Sequence, residues 1–190
     1  MYFWVSLTHI DMKRPIALFF AAVVAITASA QEKIVYEHEY LVKVGDTAPD
    51  FVIKEAGGAT YNLSDLRGKV VMLQFTASWC SVCRKEMPFI ESEIWLPGKK
   101  EGLVVIGIDR DEPEQKVLKF REDIGVTYPL ALDPGAEIFS LFALKEAGVT
   151  RNVIIDREGK IIFLTRLFER EEFDHMKTVI FAELAKKVEK

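Results

Sequence analysis

Trp79-Cys80-Ser81-Val82-Cys83-Arg84-Lys85-Glu86-Met87-Pro88 holds both cysteines of a 190-residue chain, two residues apart. The residues before it, Lys69-Val70-Val71-Met72-Leu73-Gln74-Phe75, are β-branched and apolar, the pattern of a strand buried on both faces. The stretch from Cys80 onward lacks glycine and carries Met87, Ile90 and Ile94 at helical spacing. The pair is therefore predicted to stand where a central strand gives way to a helix. A thiol at a helix N-terminus faces unpaired backbone N–H groups and the positive end of the macrodipole, both of which favour thiolate. Cys80 is read as the nucleophile. Cys83, one turn on, is read as the resolving thiol that closes an intramolecular disulfide.

Other uses of two cysteines fit less well. A structural zinc ion needs four ligands; beyond its first residues the chain offers only His38 and His175, and no second cysteine pair. Covalent haem attachment requires histidine directly after the second cysteine, where Arg84 stands. A purely structural disulfide stays open, although so tight a loop removes little entropy from the unfolded chain. Neither a metal nor an organic cofactor is expected.

Gln74-Phe75-Thr76-Ala77-Ser78-Trp79-Cys80-Ser81-Val82-Cys83 resembles the active-site segment of thioredoxin-like proteins, and Arg84-Lys85-Glu86-Met87-Pro88 narrows the resemblance to the extracytoplasmic TlpA/ResA type, related to the AhpC/TSA redoxins. Val44-Gly45-Asp46-Thr47-Ala48-Pro49-Asp50-Phe51 and Leu63-Ser64-Asp65-Leu66-Arg67-Gly68-Lys69 are similar to that family's opening segments. Val105 to Asp109 and Val153 to Ile161 are similar to its later strands. The resemblance spans residues 44–188 and implies an α/β thioredoxin fold: a central mixed β-sheet flanked by helices, with an N-terminal β-hairpin extension and an inserted βα segment. It also implies a thiol:disulfide oxidoreductase that reduces disulfides in envelope proteins, drawing electrons from a membrane dithiol donor. Peroxiredoxins share the opening segment, but their motif places proline seven and threonine three residues before the reactive cysteine, where this chain has Leu73 and Ala77. A non-catalytic partner-binding module on the same fold is the remaining alternative.

Lys13 and Arg14 precede an apolar run from Pro15 to Ala28, and Ala28-Ser29-Ala30 has the small-residue pattern of a signal-peptidase site. Residues 1–30 are read as an export signal cleaved after Ala30, residues 31–43 as a loosely ordered polar leader, and residues 44–190 as the thioredoxin-like domain. The apolar run is shorter than the roughly 20 residues of a spanning helix, so a retained membrane anchor is the second choice. The expected location is periplasmic or otherwise extracytoplasmic, with membrane contact only through an uncleaved signal. Without residues 1–30 the formal charge goes from −4 to −5, leaving 23 basic against 28 acidic residues. Such mild acidity points away from nucleic acid.

Within the domain, Phe51 to Ile53 and Ala59 to Tyr61 read as a short hairpin, and Leu103 to Ile108 as a second buried strand parallel to the first. Glu114 to Asp123 reads as a surface helix, Pro129 to Leu132 as a strand, Gly135 to Leu144 as a helix, and Val153 to Asp156 with Ile161 to Thr165 as an antiparallel hairpin. A last helix carries Phe173, Met176, Ile180, Leu184 and Val188 on one face. Asp109, Arg110 and Asp111 are taken as solvated loop charges, and Pro88 is expected to bend the active-site helix.

Two departures from the thioredoxin pattern bear on the site. The position where thioredoxins place a cis-proline opposite the cysteines is Thr150, so a trans bond is expected there. Arg151 then falls within reach of the cysteines, where a guanidinium stabilises thiolate, or points to solvent. Gln74 stands where cytoplasmic thioredoxins carry a buried aspartate. Glu86, matching the acidic residue this family retains, is assigned proton transfer with Cys83, the other reading being a surface glutamate. Trp79, Thr150 and Arg151 are the expected substrate-binding residues.

Overall fold

The computed structural model describes residues 34–186. The export signal at residues 1–30 and Val188 lie outside the described residues. The first strands, β1 (Val52–Lys54) and β2 (Thr60–Asn62), pair antiparallel as the expected hairpin. All seven residues of β3 (Val70–Thr76) are buried, as the apolar run predicts. α1 (Ser81–Phe89) starts at the cysteines, continues through a π-helical turn at Ile90–Trp95 and ends in α2 (Leu96–Gly98). The change of winding thus begins two residues after Pro88, whose carbonyl accepts a hydrogen bond from Ser92 Oγ at 2.8 Å.

β4 (Leu103–Arg110), α3 (Glu114–Ile124), β5 (Leu130–Asp133), α4 (Phe139–Phe142), β6 (Arg151–Ile155), β7 (Ile161–Arg166) and α5 (Arg170–Ala185) complete the order. The helix expected from Gly135 is shorter, beginning only at Phe139. Gly135 takes φ +70°, outside helical winding, and the buried Asp133 carboxylate caps the helix by accepting from Ile138 and Phe139 N–H at 2.7 and 2.9 Å. α3 ends where Gly125 (φ +77°) takes the left-handed conformation open to glycine.

The strands lie in the order β5-β4-β3-β6-β7, with β3, β4 and β5 parallel and β6 and β7 antiparallel to their neighbours. This five-stranded mixed sheet, with helices around it and a separate hairpin, is the α/β thioredoxin fold expected from the sequence. β3 and β4 run in register from Val70 against Leu103 to Thr76 against Asp109. Alternation along β3 sends Val71, Leu73 and Phe75 to one side, where Phe139 and Phe142 of α4 meet Phe75. Met72 faces the other side, against Met87, Ile90 and Ile94 of the active-site helix, Phe120 of α3 and Met176 of α5. Burying each such side chain contributes about 1.5–3 kcal/mol, so the sheet and α1 form a firm base for the cysteines.

The segment read as a loose leader is bound into the fold over its described part. Tyr40 is buried and donates its hydroxyl to Thr165 O at 2.6 Å. Its backbone neighbours pair with the chain after α4, Leu41 N–H to Phe142 O at 2.7 Å and Leu144 N–H to Glu39 O at 2.9 Å. Composition marks this segment as polar, but Tyr40 and Val42 are buried in the same apolar cluster as Phe142 and Ala143 at the end of α4.

Candidate active site

Cys80 and Cys83 are joined as a disulfide at the N-terminus of α1, with Cα atoms 5.3 Å apart. Cys80 occupies the N-cap position, its Sγ accepting the Cys83 N–H at 3.1 Å. That donor is one of those a helix start leaves unpaired, and it lies where charge would gather on a Cys80 thiolate. Cys80 is 7% exposed and Cys83 0%, so an incoming group reaches Cys80 first. Trp79 beside it is 62% exposed.

Thr150 faces the disulfide from the loop before β6. Its Oγ1 stands 3.1 Å from Cys80 Sγ and 3.3 Å from Cys83 Sγ. No described peptide bond is cis, in line with the trans bond expected at Thr150. The preceding loop is tied down by Arg110, whose guanidinium donates to the carbonyls of Ala147, at 2.9 Å, and Lys145, and lies over the Phe139 ring.

Arg151 corrects the sequence reading: it neither approaches the cysteines nor points to solvent. Strand alternation after Thr150 sends it to the opposite side, fully buried, where Nε donates to Gly148 O at 3.0 Å and Nη1 to His38 O at 2.6 Å. Nη2 stands 3.5 Å from the Glu39 carboxylate, an ion-pair distance without a hydrogen bond, and the guanidinium lies over Tyr40. Arg151 holds the leader and is not a substrate-binding residue of this site.

Glu86 is on the same helix as Cys83, three residues on, and is 1% exposed, which rules out the surface reading. Its carboxyl accepts from Asn152 Nδ2 at 2.6 Å and Gln74 Nε2 at 3.3 Å, and Gln74 Oε1 accepts in turn from the Tyr128 hydroxyl at 2.9 Å. Burial pushes the Glu86 carboxyl up to about 7 against the pull of these two amides. A buried acid poised near neutrality can take up and return a proton.

A second acidic group, taken from the sequence as a solvated loop charge, is buried. Asp109 lies within β4, 0% exposed, and neither of its carboxyl oxygens has a hydrogen-bond partner. Burial, with the carboxylates of Glu112 and Asp133 nearby, pushes Asp109 up to about 8. Asp111 receives the Gly135 N–H at 2.9 Å. Of the three charges taken as solvated, Asp109 is buried and Arg110 is half-buried and bound to the loop before Thr150, while Asp111 is exposed as expected. Their position at the carboxyl end of a parallel strand was the available signal. Glu112 was not singled out at all, yet it accepts from both the N–H and the hydroxyl of Ser78, at 2.5 and 2.8 Å.

Residues 44–164 match the AhpC/TSA family. The thiol-disulfide oxidoreductase ResA of Geobacillus thermodenitrificans is 35% identical over 120 residues, 63% of this chain and 67% of the relative. Among solved structures, a candidate protein disulfide isomerase from Bacteroides thetaiotaomicron is 60% identical with a TM-score of 0.76, covering 78% of this chain and 94% of that one. A candidate thiol:disulfide interchange protein DsbE from Chlorobium tepidum is 29% identical with a TM-score of 0.68, covering 76% of this chain and 99% of that one.

Proposed function

Because this chain belongs to the AhpC/TSA family and is a thiol-disulfide oxidoreductase of its thioredoxin-like, ResA-type branch, we propose that it is exported and reduces disulfides in proteins of the cell envelope. The observation that carries the reading is the Cys80–Cys83 pair at the start of α1, with the accessible sulfur receiving a helix N–H. In the forward direction Cys80 thiolate attacks one sulfur of a substrate disulfide. The substrate S–S bond breaks, a Cys80–substrate bond forms, and the displaced substrate thiolate takes a proton from water. Cys83, passing its proton to Glu86, then attacks Cys80 Sγ. The second substrate thiol leaves, and the two electrons of the dithiol have moved to the substrate. Trp79 and Thr150 flank the point of attack as binding surface.

Residues 1–30 act as the export signal, cleaved after Ala30, and place the domain outside the cytoplasm. In an oxidising compartment the dithiol must be regenerated, and a membrane dithiol donor supplies the two electrons. Among the described residues no helix is long and apolar enough to cross a membrane.

The test is the equilibrium potential of the pair against glutathione buffers, with trapping by Cys83→Ser. A potential near or below about −250 mV, and a mixed disulfide between Cys80 and a substrate protein in the variant, support the reductase. A potential near the roughly −120 mV of a strong oxidant overturns the direction. Turnover of hydrogen peroxide without protein disulfide exchange overturns the substrate class.

A further inference from the structure

Ser78 lies two residues before the nucleophile, in the loop that joins β3 to α1, and each of its polar groups is held by a charged side chain. Its N–H and hydroxyl both go to the Glu112 carboxylate. Its carbonyl accepts from Arg84 Nε, in the first turn of α1, at 2.6 Å, and the Arg84 guanidinium lies over the Phe120 ring of α3. Glu112 is itself 8% exposed and carries an ion pair with Lys116 one turn into α3. Two charged groups from different elements fixing one small residue is more than a connecting loop requires. The loop carries Trp79 and Cys80, and a loop that drifts takes Cys80 away from the Cys83 N–H and the Thr150 hydroxyl.

We propose that Glu112 is a positioning residue for disulfide exchange: through Ser78 it holds the Trp79–Cys80 segment so that the Cys80 sulfur stays within the hydrogen bonds that stabilise its thiolate. Glu112 is ion-paired with Lys116 on α3 and lies within electrostatic reach of Asp109 on β4, and Arg84 on α1 holds the carbonyl side of Ser78. Lys116 and the two Ser78 donors outweigh burial and hold Glu112 below the usual carboxylate range. The raised Asp109 acid, neutral at pH 7, presses no second charge on it. Glu112 is thus an anion at the pH where exchange runs, and a charged acceptor makes the stronger hydrogen bonds. The inference rests on Cys80 being the attacking thiol, which identification of the alkylated residue in the unsubstituted protein checks separately.

The experiment follows iodoacetamide alkylation of Cys80 in the reduced full chain from pH 5 to 9, with thermal unfolding measured alongside. Glu112→Ala is expected to slow alkylation at pH 7 by about fivefold to tenfold and to raise the midpoint of the pH–rate profile. Glu112→Gln, whose amide oxygen still accepts from Ser78, is expected to restore most of the rate. A purely electrostatic role makes Ala and Gln behave alike and lowers the midpoint, because an anion near the sulfur has gone; that result overturns the proposal. A lowered Tm with an unchanged profile also overturns it. Should Glu112→Ala fail to fold, Ser78→Ala decides, since it removes one of the two donors: a raised midpoint supports the positioning role and an unchanged one sinks it.

Discussion

The Thr150 hydroxyl lies 3.1 Å from Cys80 Sγ, in a loop where this fold has a cis-proline in thioredoxins. A proline ring can exclude groups from the sulfurs but has no donor to offer them. Threonine occupies the space and adds an O–H. In the reduced protein that O–H can donate to the Cys80 thiolate, and a hydrogen bond to a charged group is worth about 1.5–3 kcal/mol.

Thr150→Ala removes that donor. The Cys80 pKa is expected to rise by about one unit, and the reduced state loses stability relative to the disulfide. The potential of the pair then becomes more negative, by about 30 mV for each 1.4 kcal/mol lost. Thiol titration by absorbance and equilibration with glutathione read the two shifts; an unchanged pKa in Thr150→Ala refutes the donor role.

Trp79 is the large apolar group left exposed directly beside the nucleophile. Trp79→Ala is expected to slow reduction of a protein disulfide by about tenfold while leaving reaction with a small disulfide such as hydroxyethyl disulfide within about twofold, because only the larger substrate covers the ring. Equal slowing of both substrates would assign Trp79 to shaping the loop and not to binding.

Glu86 and Asp109 make stability fall with rising pH. Both have folded-state pKa values raised above the ordinary carboxylate value, to about 7 and about 8. Over the interval between ordinary and raised values the folded state binds more protons than the unfolded one, so their contribution is complete below about pH 4 and is lost by about pH 8. The full shifts correspond to about 3 kcal/mol for Glu86 and about 6 kcal/mol for Asp109. Urea unfolding at pH 5 and pH 8 should show the loss, Glu86→Gln should remove its part below pH 7, and Asp109→Asn should remove the part that extends to pH 8. At more acid pH the lowered carboxylates, Glu93 among them at about 2, act in the opposite sense as they take up protons.

Arg151 is a structural cation, and its substitution separates stability from chemistry. Arg151→Met leaves the carbonyls of His38 and Gly148 without their donors and the Glu39 carboxylate without its ion pair. A loss of about 2–4 kcal/mol of unfolding free energy is expected from the two charged-donor hydrogen bonds removed, with the Cys80 alkylation profile unchanged. A shifted profile would show that the cation acts on the thiols after all.

The sheet, the crossover helices and the cysteine position were legible because each has a local sign: apolar runs of strand length, helical spacing at Met87, Ile90 and Ile94, and two cysteines beside them. Glu86 carried its sign in the family motif, but its burial did not show, since nothing local says that Gln74 and Asn152 converge on it from two neighbouring strands. Arg151 was misplaced for a related reason. Its neighbour Thr150 faces the sulfurs, and strand alternation turns the next residue away, toward a leader whose place in the fold no pattern in the sequence announces. Ser78 and Glu112 meet across 34 positions of chain, and a Ser–Glu pair at that separation has no spacing rule. Asp109 was seen but read by its charge. A carboxyl group at the end of a buried strand keeps its burial and gives up its charge instead.

Tyr40, ahead of the stretch that matches the family at residues 44–164, locks against Arg151 within it, and α5 follows that stretch. The part recognisable by descent is therefore smaller than the part that can stand alone. A fragment trimmed to the recognisable limits would keep both sulfurs and the sheet beneath them, yet bare a guanidinium on one flank and strip Met72 and Met87 of their cover on the other. Trimming the chain for expression or crystallisation should keep Tyr36, whose N–H donates to Tyr40 O, at one end and the whole of α5 at the other.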